Sequence, residues 1–134
     1  MLLPSEIESK LLIPAVRAIL SKELIEKGLK EEEVARMLGI TQAAVSNYLR
    51  GTRGDNELIA KLMSLSEIMS MIKEISNDLS TNKAYTAKTL SKFIALCNYM
   101  RYSLIICDAH HSLERNIDEK VCEQCKIILT GTQQ

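Results

Sequence analysis

A mainly α-helical fold is what this sequence predicts, and three observations carry the prediction. The chain is 46% hydrophobic with one Phe, no Trp and two Pro in 134 residues. That mix, rich in Leu, Ile, Met, Glu and Lys, favours helix. Its apolar residues recur at three- and four-residue spacing over most of its length, and Gly28, Gly39 and Gly51 fall where such runs end. The expected architecture is an N-terminal bundle of short helices, a longer central helix, and a small Cys/His-rich C-terminal segment with room for a short β-hairpin.

Each N-terminal element has a local cause. Ser5-Glu6-Ile7-Glu8 sets a serine three residues before a glutamate, a capping box that opens a short helix. Pro14 suits the first turn of a second helix, where its missing N–H is not needed. Val16, Ile19, Leu20 and Leu24 give that helix an apolar face, and Gly28 closes it. In "KEEEVARML" three glutamates fill a first turn, where the helix dipole favours negative charge, and Gly39 stops the run. Thr41 caps "QAAVSNYLR", which ends at Gly51.

Short helices with a glycine turn between the last two make a helix-turn-helix pattern, expected over residues 1–57. Ala35 is small where two helices cross, and Gly39 permits a positive φ in the turn. Val45 is the buried knob of the last helix, while Leu38 and Ile40 plug the core beside the turn.

The face of that last helix is suited to the DNA major groove. Gln42, Ala43, Ser46, Asn47 and Arg50 lie away from Val45 and Leu49. Gln and Asn can pair bidentately with adenine and Arg with guanine, and an Ala methyl can touch thymine. Thr41, Ser46 and Tyr48 are candidate phosphate donors. Lysines and arginines match aspartates and glutamates at 17 each, so there is no global basic field. Residues 41–53, however, hold Arg50 and Arg53 and no acid, which makes the segment locally cationic.

"EEVARMLGITQAAVSNYLRG", residues 32–51, resembles the helix-turn-helix of Cro/repressor-type (XRE) transcriptional regulators. With "IPAVRAILSKELIEKGL" before it and a cysteine cluster after it, the chain is similar to small, largely archaeal predicted regulators carrying a C-terminal Cys/His segment. The resemblance implies a double-stranded DNA operator as partner. In the family the second helix opens with a small cap and a Gln that donates to phosphate; here Lys30 and Glu31 stand in those places. Glu31 cannot donate, and Lys30 is the available replacement.

Leu58, Leu65, Ile72 and Leu79 recur every seven residues, with Ile68 and Ile75 between the later ones and Lys61 interrupting the pattern. The stripe serves either a homodimer or a helix packed on the helix-turn-helix. Because one such unit contacts a single half-site, the homodimer is preferred for residues 58–104. "STNKAY" is expected to be a loop at 80–85. "TAKTLSKFIALCNYMRYS" then forms a further helix with Leu90, Phe93, Leu96, Cys97, Met100 and Leu104 inward.

Residues 105–134 hold three of the four cysteines and both histidines. "SLIIC" and "CKIIL" read as short strands, each joined to a ligand pair: Cys107 with His110 (or His111), and Cys122 with Cys125. Cys107, His110, Cys122 and Cys125 make a Cys3His set that suits Zn²⁺. If the chain reverses near Ser103, Cys97 becomes an alternative fourth ligand in a four-cysteine site for zinc or an iron–sulfur cluster. An unbroken helix would hold Cys97 about 15 Å from Cys107. Zinc is slightly favoured because His110 falls where a fourth ligand belongs.

The leading expectation is a sequence-specific DNA-binding regulator whose C-terminal site either stabilises the fold or senses metal or redox state. The alternative is an antitoxin-like interaction module built on the same core. An enzyme is disfavoured: no phosphate-binding glycine loop and no paired carboxylates beside a base are present. No small-molecule substrate is expected. With no secretory h-region and no apolar run of about 18 residues, a cytoplasmic protein is expected.

Overall fold

The computed structural model describes residues 1–131, and all its regular elements are helical. In order they are α1 (Pro4–Ile7), a π-helical turn (Glu8–Leu12), α2 (Ile13–Glu26), α3 (Glu31–Leu38) and α4 (Gln42–Arg50). There follow α5 (Asn56–Met63), α6 (Ser66–Asn82), α7 (Ala87–Tyr102), α8 (Ile105–Leu113) and α9 (Glu119–Thr130). No helix among the described residues is long and apolar enough to cross a membrane.

The first two expected helices are one run. Ser5 is not the cap: Leu3 occupies that position, its N–H donating to Glu6 Oε2 at 2.7 Å, and Pro4 begins the helix. Pro14 then sits just inside α2, directly after the π turn. A proline cannot donate and crowds the preceding turn, and a widened turn is one way a helix absorbs it without stopping.

α2 is the hub. α3, α4, α5 and α6 all pack on it. Val16, Ile19, Leu20 and Leu24 of α2 are buried with Val34 of α3, Val45 of α4 and Leu62 of α5. Gly39 and Gly51 take left-handed conformations at φ 67° and 73°, ending α3 and α4 where the sequence places the stops.

The heptad stripe lies inside the chain. Ile68, Ile72, Ile75 and Leu79 are buried where α6 meets α2 and α7, and Leu58 is buried with them. Lys61, the interruption, turns outward to Asp108 of α8. The packing alternative therefore accounts for these residues. The loop is shorter than expected, since α6 continues to Asn82 and Thr86 caps α7. On α7, Leu96 and Met100 are fully buried and Phe93 and Cys97 partly so, whereas Leu90 is 43% exposed.

The expected β-hairpin is replaced by helices α8 and α9. Ile105, Ile106 and Ala109 form one buried face of α8 against the body of the molecule. A short β-branched run can equally be one side of a buried helix. Asp118 caps α9 by accepting from the N–H of Lys120 at 2.9 Å. That cap, followed by Val121, Cys122, Cys125, Ile128 and Leu129 at helical spacing, was the available sequence signal.

Candidate nucleic-acid interface and Cys/His cavity

α4 is placed by its buried side and presents its other side outward. Ala44, Val45 and Tyr48 are buried; Thr41, Gln42, Ala43 and Arg50 are exposed, with Ser46 and Asn47 half-buried between them. Thr41 Oγ1 accepts the Ala44 N–H at 3.0 Å, so the hydroxyl fixes the start of α4. Arg50 donates through Nη2 to Asn47 Oδ1 at 2.5 Å, tying two candidate base readers together.

Tyr48 lies elsewhere than a phosphate donor would. It is 3% exposed, within the core, and the Arg53 guanidinium stacks over its ring at 5.5 Å. The stack holds Arg53 beside α4 and contributes about 0.5–1 kcal/mol. A link between distant residues, not legible in the sequence, joins the two helices of the motif: Ser46 Oγ donates to Glu31 Oε2 at 2.7 Å.

Residues 20–65 match the family model described as helix-turn-helix. This segment is a helix-turn-helix domain. It begins within α2, contains α3 and α4, and runs through α5 to Leu65. The helix-turn-helix domain supports a DNA-binding regulator of the XRE type. No curated protein and no solved structure matches the chain.

Met1–Pro4, α8, the 116–118 linker and α9 line a half-open cavity of roughly 700 Å³. Cys107, His110, His111, Cys122 and Cys125 all line it. Burial pushes the Cys107 thiol up, and the nearby Cys125 and Cys122 add to the shift. Cys125 is raised by burial and then by Cys122. Cys122 thus adds to the upward shift of both Cys107 and Cys125, across the one space that all three line.

The histidines differ. His110 Nε2 is 2.8 Å from Glu114 Oε2, the same oxygen that accepts the Leu2 N–H at 3.2 Å. These hydrogen bonds, His110 first, lower the Glu114 pKa. His111 Nε2 instead approaches Cys122 Sγ at 3.8 Å. Cys97 stands in a different setting: burial raises its pKa first, and Glu8 and Arg101 are the charges acting on it.

The donor set suits a thiophilic ion. As placed, no three His, Cys, Asp or Glu side chains among the described residues stand close enough together to hold one.

Proposed function

We propose that this protein is a sequence-specific transcriptional regulator that reads a double-stranded DNA operator with α4, acting in the cytoplasm as a homodimer. The observation that supports it is the outer face of α4. Exposed Gln42, Ala43 and Arg50 flank Ser46 and Asn47 on a capped helix, in a stretch without an acidic residue. Each side chain has a base-edge or backbone partner in the major groove. The homodimer is proposed because one motif of this kind covers one half-site, and a second copy supplies the other.

Selection from a random duplex pool, followed by mobility shift, tests the reading. Gln42→Ala or Asn47→Ala is expected to relax preference at one base position by about 1–3 kcal/mol. Arg53→Ala is expected to weaken all sequences alike and to lower the salt slope by about one. Equal, salt-insensitive losses in all three variants would sink groove reading.

We propose further that Cys107, Cys122 and Cys125 with a histidine, His110 by spacing, form a zinc site, with an iron–sulfur cluster as the other occupant. The lining of one pocket by all three thiols and both histidines supports the donor set. The different setting of Cys97 favours Cys3His over four thiolates. A closing movement of α9 is required, because the donors do not meet as placed. Anaerobic purification with metal analysis and a visible spectrum decides the occupant: absorbance near ~400 nm indicates a cluster, about one zinc per chain indicates the closed site, and neither defeats the proposal.

A further inference from the structure

The N-terminus of α3 is the place on a helix-turn-helix domain where backbone affinity is ordinarily built. The helix ahead of the reading helix crosses the phosphate backbone, and free N–H groups with the positive dipole end attract a phosphate there. In this chain three glutamates occupy that end. Glu33 folds back to accept the Lys30 N–H at 3.2 Å, and Glu32 is exposed to solvent. Glu31 turns toward α4, where Ser46 holds its carboxylate. An anchored anion therefore stands between the start of α3 and the reading face.

We infer that Glu31 is a brake on sequence-independent DNA affinity, held in position by Ser46. The inference rests on the DNA-binding reading above. A fixed carboxylate at the first position of α3 offsets the positive dipole end that would otherwise draw a phosphate oxygen, and it repels the backbone passing beside it. Affinity from phosphate contacts falls equally on every sequence, and discrimination is left to the base contacts of α4. The Ser46 bond matters because a free glutamate on a long side chain would swing aside as DNA approached.

Glu31→Gln tests this, since the amide oxygen still accepts from Ser46 while the charge is gone. Glu32→Gln is the control, removing the same charge from the solvent-facing neighbour. Fluorescence anisotropy is recorded on a mixed-sequence duplex and on a selected operator, over ~50 to 200 mM salt. Glu31→Gln is expected to tighten both duplexes by about fivefold and steepen the salt slope by about one. Glu32→Gln is expected to change them less than half as much. Equal gains in the two variants would reduce the effect to net charge and overturn the inference. So would an unchanged Glu31→Gln, or a loss confined to one base position, which would make Glu31 a base reader. If the wild-type chain binds neither duplex at low salt, the DNA-binding reading fails and takes this inference with it. Circular dichroism checks folding, and Glu31→Ser serves in place of Glu31→Gln should the glutamine variant misfold.

Discussion

Single residues in this molecule show how polar groups are managed inside an apolar bundle. Glu8 is 7% exposed, and both its oxygens receive Arg101 from α7, at 2.5 and 2.7 Å. The pair fastens the π turn to α7, and the planar guanidinium fits the carboxylate in a way lysine could not. Arg101 itself is partly exposed, so the pair is worth less than a wholly buried one. Glu8→Ala is expected to cost about 1–2 kcal/mol in a urea melt. A change below ~0.3 kcal/mol would show that the pair merely decorates the surface. Ser76 is the opposite case: its hydroxyl is buried with no hydrogen-bond partner among the described residues. Ser76→Ala removes an unsatisfied group at little cost in volume and is expected to stabilise by up to about 1 kcal/mol. Destabilisation in the same melt would mean the hydroxyl has found a partner.

Elements were legible in the sequence where the backbone needs a particular residue, and less so where one apolar pattern fits two structures. Gly39, Thr41 and Gly51 mark the ends of α3 and α4 because a left-handed turn and a side-chain cap leave few choices. The same holds for the polar face of α4, whose residues lie opposite Val45 as spacing requires. By contrast, the stripe through Leu58, Ile72 and Leu79 satisfies a heptad and an internal helix equally. Periodicity records that a face is buried and is silent on what buries it. α8 and α9 failed for a related reason, because "SLIIC" and "CKIIL" are too short for their period to separate strand from helix. Pro14 reads as a start, and only the π turn ahead of it lets one helix run through. The stripe makes its own test. Ile72 is fully buried between α6 and its neighbours, so Ile72→Asp is expected to unfold the chain, costing over ~3 kcal/mol. A soluble, folded Ile72→Asp monomer would return the stripe to a dimer interface; circular dichroism and sedimentation read the two outcomes.

On the scale of the whole molecule, stability and attachment are unevenly distributed. From Ile7 to Ala109 a single continuous core runs through the helices α1 to α8, whereas α9 contains no fully buried residue. Its contacts are with α7 and with the rim of the Cys/His cavity, where Val121 and Ile128 remain 51% and 70% exposed. A helix that buries so little apolar surface gains little from docking, so it opens at low free energy. An ion shared between Cys107 on α8 and Cys122 and Cys125 on α9 would supply what packing does not, since metal binding becomes docking free energy. Limited trypsin digestion separates the two conditions, because Lys120 and Lys126 lie on α9. In metal-free protein these two sites are expected to be cut well before any site in α2 or α6. With one equivalent of Zn²⁺ under reducing conditions, cleavage there is expected to slow about tenfold or more, the effect of roughly 1.4 kcal/mol of added docking. Cys122→Ser should abolish the protection while leaving the core fragment intact. Zinc that binds without protecting α9 would place the ion elsewhere and leave the cavity as an apolar space between a loosely held helix and the N-terminus.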